Sequence, residues 1–289
     1  MPPLDENLTA RLRDGRAVCY AQYGIPDGSV VVNAHGGLAC RLDVAAADSA
    51  ARAAGVRLIS PDRPGIGGSD PKPGRTVLDW VGDIAELLDQ LGVERFSAMG
   101  WSMGGQYAAA LAWGLADRAN RVAIIAGALP LTEPGVFGQL PGFDRAYTRL
   151  SQRLPWLVKP CFGAMALAAR TAPTLYGRVA ASQLGTADAA VLRDEGYAEF
   201  ARMSAEALRR PGGVVEDYRA WMRPWGFTPE EIAIPVDVWG GEQDELVTIA
   251  WPRELALRVP GATLHEKPGG HFLAHRYYPQ ILTSLTNSS

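Results

Sequence analysis

Short apolar runs alternate with amphipathic segments along most of this chain. The runs are rich in β-branched residues and have no polar face, which is typical of strands in a parallel sheet that is covered on both sides. They predict strands at residues 29–34, 56–60, 95–99, 121–126, 235–239 and 262–266. Ahead of them, residues 8–13 and 16–23 flank the turn dipeptide Asp14-Gly15, so a β-hairpin is predicted there.

Helical periodicity fills most of the gaps between these strands. Residues 79–91 carry apolar side chains three and four positions apart, and Gly92 follows as a helix stop. Residues 104–115 are rich in alanine, and residues 245–258 show a weaker helical pattern. The alternation of strands and helices predicts an α/β fold with a doubly wound, mostly parallel sheet.

One long stretch breaks this alternation. Residues 131–233 contain amphipathic segments, such as 188–210 and 213–225, but no clear strand. We therefore predict a core domain formed by residues 1–130 and 234–289, into which residues 131–233 are inserted as a helical cap. Most aromatic residues of the cap are expected to fill its own core, whereas Trp221 and Trp225 are candidates for the wall of an apolar pocket.

Composition and charge exclude several classes of function. A formal net charge of −3, from 28 bases and 31 acids, gives no electrostatic footprint for nucleic acid. The three cysteines form no CxxC pair and the histidines show no metal-ligand spacing, so neither a disulfide framework nor a metal or other cofactor is expected. The start of the chain does not resemble a signal peptide, and no apolar run is long enough for a membrane span. We expect a cytoplasmic protein with a small-molecule substrate; the oligomeric state, a dimer included, stays open.

A candidate nucleophile lies in the segment Gly100-Trp101-Ser102-Met103-Gly104, which matches G-x-S-x-G. A predicted strand leads into it and an alanine-rich helix follows it, which is the strand–turn–helix arrangement of a nucleophile elbow. In such a turn the serine has a strained backbone, and the glycines let neighbouring chain approach closely. Ser102 is therefore the predicted nucleophile, and Trp101 beside it is a candidate pocket residue.

A serine nucleophile needs a base, and four histidines are available. His271 lies in a loop that follows the last predicted strand, at the same edge of the sheet as Ser102, and is the predicted base. His275 is the alternative. His35 is expected to fix its own loop through hydrogen bonds, and His265 falls inside a predicted strand.

The base in turn needs a carboxylate that orients it. Asp244 is the predicted carboxylate because it follows a buried strand in a loop that opens at the same edge of the sheet. Glu242 and Glu245 are close competitors, and Glu133 is a more distant one. The order along the chain is then serine, aspartate, histidine.

Backbone N–H groups near the first buried strand are candidates for binding an oxyanion. In the segment His35-Gly36-Gly37-Leu38 two glycines expose the backbone at the carboxyl end of that strand. In a hydrolase, the N–H of Gly37, or that of Leu38, would join the N–H of Met103 in an oxyanion hole. Leu38 is also a candidate pocket residue.

These segments together resemble the α/β-hydrolase fold superfamily, in the branch that carries a helical cap between strands six and seven. The resemblance rests on HGG, GWSMGG, GGEQD and GGHF in this order, and on residues 62–69 (DRPGIGGS), which match the D-x-P-G-x-G-x-S loop common in that branch. It covers nearly the whole chain and implies an eight-stranded sheet. The loop at residues 62–69 is expected to be architectural.

The chain also departs from parts of the superfamily. Haloalkane dehalogenases and soluble epoxide hydrolases have an aspartate at the elbow, where this chain has Ser102. The HGGGP-like and GGSWG patterns of proline iminopeptidases are absent. Leu38 also replaces the proline of the frequent HG-x-P form, which leaves the second oxyanion donor open between Gly37 and Leu38.

The activity that the resemblance implies is acyl transfer to water through a serine–histidine–aspartate triad. We expect an ester or thioester of a small, largely apolar substrate. The same triad would serve a carbon–carbon bond hydrolase, because GWSMGG resembles the GNSMGG-like elbow of those enzymes, and it would also serve a lactonase or a perhydrolase. A ligand-binding member of the fold without catalysis is the third alternative.

Overall fold

A computed structural model of the protein describes residues 5–286. Residues 1–4 and 287–289 lie outside this range. The start of the chain, where no signal peptide is predicted, and the two ends of the predicted core domain are therefore only partly described. Eight strands within the range form one sheet in the order β1-β2-β4-β3-β5-β6-β7-β8. The strands are β1 Asp5–Arg11, β2 Ala17–Gly24, β3 Ser29–Ala34, β4 Val56–Pro61, β5 Phe96–Trp101, β6 Ala119–Ile125, β7 Val236–Gly241 and β8 Thr263–Lys267.

The sheet is mostly parallel, as the sequence predicts. Strand β2 is antiparallel to both β1 and β4, and all other neighbouring pairs are parallel. The predicted hairpin is confirmed, since β1 and β2 pair around a turn in which Gly15 has a φ of 87°. The parallel strands all end at one edge of the sheet, where their following loops meet.

Helices cover both faces of the sheet. The described helices of the core are α1 Asp48–Ala53, α2 Val77–Gln90, α3 Gly104–Gly114, α11 Ala250–Arg258 and α12 Ala274–Thr286. Helices α2, α3 and α11 lie on one face, and α1 and α12 pack together on the other. Buried side chains accordingly form two large clusters, one on each face. The doubly wound α/β prediction is therefore confirmed.

Two helix boundaries differ from the predicted ones for local reasons. Helix α2 begins two residues early, because Thr76 and Asp79 form a capping box across its first turn. Helix α11 begins at Ala250 instead of residue 245. The carboxylate of Asp244 accepts the N–H groups of Leu246 and Val247, each at 2.8 Å, and so holds this segment as a turn.

The stretch between β6 and β7 is helical. It contains α4 Val136–Gln139, α5 Gly142–Arg153, α6 Pro155–Thr171, α7 Pro173–Ser182, α8 Thr186–Glu195, α9 Tyr197–Ala207 and α10 Pro211–Trp221, and no strand lies between residues 131 and 233. The segment predicted at 188–210 is split into α8 and α9 by Gly196, which has a φ of 100°. We refer to residues 131–233 as the insertion. That the insertion forms a separate cap domain stays a prediction.

Candidate active site

Ser102 lies in a sharp turn between strand β5 and helix α3. Its φ of 56° falls in the left-handed region, which residues with a side chain rarely adopt. The neighbouring strand stabilises this backbone conformation, because the N–H of Ser102 donates to the carbonyl of Ile125 at 2.8 Å. A Cβ on Gly104 would lie 1.9 Å from the carbonyl oxygen of Ala34, so a glycine is required where the helix crosses β3. The turn presents the serine hydroxyl at the edge of the sheet.

His271 and Asp244 reach this hydroxyl in one chain of hydrogen bonds. His271 Nε2 is 2.8 Å from Ser102 Oγ, and His271 Nδ1 is 2.9 Å from Asp244 Oδ2. The other carboxylate oxygen of Asp244 already accepts two backbone N–H groups, so the side chain is fixed and faces the imidazole. The structure thus brings together the three residues that the sequence singles out from three separate loops.

The surroundings of His271 favour its charged form. Burial by itself lowers the pKa of an imidazole, but the negative charge and hydrogen bond of Asp244 more than offset it, so the pKa of His271 is raised above its usual value. The carboxylates of Asp188 and Asp144, both on the insertion, act in the same direction. A base in this position takes up a proton readily while Asp244 balances the resulting charge.

The other histidines are engaged elsewhere. His275 Nδ1 is 3.4 Å from a carboxylate oxygen of Glu195. His265 lies in β8, where its Nε2 is 3.1 Å from Asp237 and its ring stacks on Trp239. Neither is hydrogen-bonded to Ser102, so the geometry favours His271 over the alternative at 275.

The competing acids also lie away from the histidine. Glu242 and Glu245 are exposed. Glu133 pairs with Arg258, the two charged groups being 2.7 Å apart. Asp244 is the acid of this group that contacts His271.

The backbone groups considered for an oxyanion hole lie next to each other. A Cβ on Gly37 would be 3.2 Å from the side chain of Met103, so the loop after β3 touches the residue that follows Ser102. Leu38 has a φ of 54°, again in the left-handed region, which shows that this loop is held in an unfavourable conformation. Gly37 and Leu38 both remain candidates for the second donor.

His35 supports this loop from within the core. The N–H of Arg63 donates to His35 Nε2 at 3.1 Å, so the ring proton is on Nδ1, which donates to the carbonyl of Gly36 at 3.0 Å. Burial lowers the pKa of His35 well below its usual value and keeps the ring neutral. The expected hydrogen-bonding role of His35 agrees with this geometry.

Two charged residues, Asp43 and Arg63, also hold this loop by hydrogen bonds, and neither role is evident from the sequence. Asp43 accepts the N–H of Gly36 at 3.0 Å. Arg63, fully buried, donates to the carbonyls of His35 and Gly36 and forms an ion pair of 2.7 Å with Asp217 on α10. The only sequence signal for the ion pair is an arginine within the apolar, glycine-rich loop at 62–69, and its partner is 154 residues away.

A cavity of about 150 Å³ lies between the sheet edge and the insertion; Ser102, His271 and Asp244 do not line it, but two of their chain neighbours do. Trp101 and Phe272, the chain neighbours of Ser102 and His271, form part of its wall, and the indole N–H of Trp101 donates to the carbonyl of His271 at 2.8 Å. The rest of the lining is largely apolar but includes charged groups. These further residues are Leu42, Asp43, Ala45, Ala46, Val191, Leu192, Glu195, Glu199, Phe200, Arg202, Met203 and His275.

Trp221 and Trp225 do not line this cavity. Both are buried in the main hydrophobic cluster; the indole N–H of Trp225 donates to Gln106 on α3 at 3.1 Å. Leu38 is partly buried against the same cluster and is also absent from the cavity wall. Of the four candidate pocket residues, Trp101 is the one that the structure places at this cavity.

Among residues 5–286, no group of three or more histidine, cysteine or acidic side chains is arranged to hold a metal ion. No helix in that range combines the length and the apolar character that crossing a bilayer requires.

Comparisons with known proteins agree with this architecture. A family model described as alpha/beta hydrolase fold matches residues 29–275. The enol-lactonase from Burkholderia xenovorans is similar over 96% of this chain and 97% of its own, with a TM-score of 0.71 and 22% identity. A thermophilic esterase from Thermogutta terrifontis has a TM-score of 0.71 at 20% identity over 96% of each chain. A bromoperoxidase from Bacillus anthracis has a TM-score of 0.69 at 19% identity, over 96% of this chain and 97% of its own. No curated protein sequence matches the chain.

Proposed function

Because the chain belongs to the alpha/beta hydrolase fold family, we propose that it is a serine hydrolase that cleaves an ester or thioester of a small, largely apolar substrate. The observation that carries the proposal is the hydrogen-bonded chain from Ser102 through His271 to Asp244, with distances of 2.8 and 2.9 Å. A serine whose hydroxyl faces an imidazole, which in turn faces a buried carboxylate, is the arrangement that activates a hydroxyl nucleophile.

The mechanism proceeds in two halves. Ser102 Oγ attacks the carbonyl carbon while its proton moves to His271 Nε2, and the N–H groups of Met103 and of Gly37 or Leu38 bind the oxyanion that forms. The tetrahedral intermediate collapses, the bond to the leaving group breaks, and His271 protonates that group. Water then attacks the acyl-enzyme, again giving its proton to His271, and the acid is released as Ser102 recovers its proton.

The substrate class is proposed from the cavity that Trp101 and Phe272 help to line. Ser102 and His271 do not line this cavity, but their chain neighbours Trp101 and Phe272 do, and its largely apolar wall suits a short apolar acyl or alcohol group that extends into it from Ser102. Lactones and carbon–carbon substrates remain alternatives on the same triad. The insertion, residues 131–233, is proposed to act as a cap that closes over this part of the sheet.

The decisive test is substitution of the nucleophile. We expect Ser102→Ala to lower hydrolysis of p-nitrophenyl butyrate by several orders of magnitude and to abolish labelling by a fluorophosphonate probe. A series from acetate to dodecanoate, with a lactone and a vinylogous diketone alongside, identifies the preferred bond and chain length. Near-normal hydrolysis by Ser102→Ala would rule out the triad mechanism, and failure of folded wild-type protein to react with the probe would favour a non-catalytic binding protein.

A further inference from the structure

Helices α6 and α7 of the insertion present a large apolar surface to solvent. Seven of the eight large hydrophobic side chains that are exposed in residues 5–286 lie between Phe143 and Val179. Trp156 is 69% exposed, Leu175 63% and Leu167 58%. We call the exposed side of α6 and α7 the apolar face and define it by Trp156, Leu157, Leu167, Leu175 and Val179.

Helix geometry makes the part of this surface on α6 a continuous stripe. Trp156, Pro160, Ala164 and Leu167 are exposed and follow one another at four- and three-residue spacing, which places them in one stripe along α6. The opposite side of α6 is buried through other residues, namely Val158, Phe162, Ala166 and Ala169. The packing of the insertion is therefore satisfied without the exposed stripe.

The segment of chain that carries the apolar face has charges of a single sign, although Glu199 and Glu206 of the neighbouring helix α9 line one surface groove with Arg170. Residues 145–187 hold six of the 28 bases and none of the 31 acids of a chain whose formal charge is −3. None of these six bases forms an ion pair within residues 5–286. Lys159 and Arg170 are eleven positions apart, about three helical turns, so both lie on the same flank of the stripe.

We propose that the apolar face docks onto the surface of a bilayer that contains anionic phospholipids. A helix that lies in a membrane interface needs an apolar side that enters the headgroup region and bases that meet anionic headgroups. The apolar face has both. A twofold contact with a second copy would instead bring Lys159 and Arg170 of both copies into one interface, which like charges oppose.

Docking would also place the candidate active site on the far side of helix α7 from the lipid. The buried side of α7, at Ala181, packs in one small cluster with Phe272, the residue after His271. Substrates that partition into the bilayer would then reach the site at a raised local concentration. The docking proposal itself goes beyond the proposed function and does not depend on it.

Co-sedimentation with vesicles tests the proposal. We expect the wild-type protein to bind vesicles of phosphatidylcholine with 30 mol% phosphatidylserine, to bind pure phosphatidylcholine more weakly, and to lose binding as salt is raised. Lys159→Gln/Arg170→Gln should weaken binding about 30-fold. Trp156→Ser/Leu167→Ser should weaken it by about tenfold or more.

Matched substitutions outside the apolar face serve as controls. Leu257, 87% exposed on α11, is the eighth exposed apolar side chain, so Leu257→Ser should leave binding unchanged. Arg13→Gln/Arg276→Gln is the control for the loss of two bases. All variants change exposed side chains, so melting temperature and hydrolysis of a soluble ester should stay at wild-type values.

Three results would overturn the proposal. The first is an absence of wild-type binding to the anionic vesicles, which would point to an acidic protein partner instead. The second is an equal loss of binding in Leu257→Ser or in Arg13→Gln/Arg276→Gln. The third is a dimer, seen by sedimentation equilibrium, that Trp156→Ser/Leu167→Ser converts to monomers, because a second copy would then cover the apolar face.

Discussion

Asp188, on helix α8 of the insertion, accepts a hydrogen bond at 2.8 Å from the backbone N–H of Phe272, the residue that follows His271. Its side chain is buried, with 1% of the residue exposed. The ring of Phe272 packs against Ala181 and Leu192 of the same insertion. The loop that carries the proposed base is therefore held by the insertion as well as by the sheet.

Removal of the Asp188 side chain is expected to impair the proposed base without removing it. Asp188→Ala leaves a buried N–H without an acceptor and should lower kcat by roughly 10- to 100-fold, because small misplacements of a catalytic group are costly. KM should change less. Steady-state kinetics with p-nitrophenyl butyrate measure both, and the exposed acid of the same helix, Asp194→Ala, is the control.

Asp188→Asn separates the hydrogen bond from the charge. The amide oxygen can still accept the N–H of Phe272, so kcat at high pH should stay near the wild-type value. The negative charge of Asp188 raises the pKa of His271, and the base works only when neutral, so the acidic limb of the rate profile should move to lower pH in Asp188→Asn. Unchanged kcat in Asp188→Ala and an unchanged limb in Asp188→Asn would together argue for a purely structural role.

Gly270 offers an independent way to disturb the same contact. A Cβ at this position would lie 2.4 Å from both carboxylate oxygens of Asp188. Gly270→Ala should therefore reproduce the loss of kcat in Asp188→Ala, whereas Gly142→Ala, where a Cβ meets nothing within 4 Å, should be silent. Additive losses in the Gly270→Ala/Asp188→Ala double variant would contradict a shared cause.

Asp244→Asn tests the carboxylate of the proposed triad. An amide cannot hold His271 in the same tautomer or balance its charge, so kcat should fall roughly 10³- to 10⁴-fold. Loss of the carboxylate also lowers the pKa of His271, so the acidic limb of the remaining activity should move to lower pH. Glu242→Gln, in the same loop but exposed, is the control. An equal effect of both substitutions would contradict the assignment.

Among the buried acids, Asp217 is expected to be the one whose substitution lowers the stability of the protein most. It lies between Arg63 and Arg75, and although burial opposes ionisation, these two guanidinium groups hold its pKa at about 2. Asp217→Asn leaves two buried cations without a counter-charge and should lower the free energy of unfolding by about 3–5 kcal/mol at pH 7. Urea unfolding followed by circular dichroism measures the change.

The same ion pairs determine the direction in which the free energy of unfolding changes with pH. The pKa of Asp217 is lower in the folded state than in the unfolded state, where it is 3.8. The stabilisation that Asp217 provides is therefore complete above pH 3.8 and is lost as pH falls towards 2. Asp194→Asn, which removes an exposed ion pair with Arg193, should cost less than about 1 kcal/mol. A cost for Asp217→Asn no greater than that of Asp194→Asn would contradict the prediction.

Asp144 should have the opposite effect on the pH dependence of stability. Burial raises its pKa to about 6, and the hydroxyl of Tyr218 donates to it at 3.1 Å. Its contribution to stability is complete below the unfolded value of 3.8 and is lost as pH rises through about 6, because the half-buried carboxylate is then charged. Asp144→Asn keeps an acceptor for Tyr218, so its melting temperature should exceed that of the wild type at pH 8, and the gain should disappear at pH 3.5.

Local patterns in the sequence account for much of the fold. The apolar runs give six strands of the sheet and the Asp14-Gly15 turn gives the hairpin, because burial on both faces and turn chemistry act over a few residues. The elbow at Ser102 is also local: strand, strained turn and helix follow one another within the chain. The start of α11 is less predictable, since it depends on where the side chain of Asp244 is directed.

The sequence by itself determines the elements, their order and the loops that meet at the carboxyl edge of the sheet, and so it identifies Ser102, His271 and Asp244 as candidates. Only the tertiary structure decides that His271 and not His275 faces the serine, that Trp221 and Trp225 lie away from the cavity, and that Asp188 and Arg63 join the insertion to the site. The physical reason is distance along the chain. Contacts such as Asp188 with Phe272, 84 residues apart, arise from packing and leave no periodic trace in the sequence.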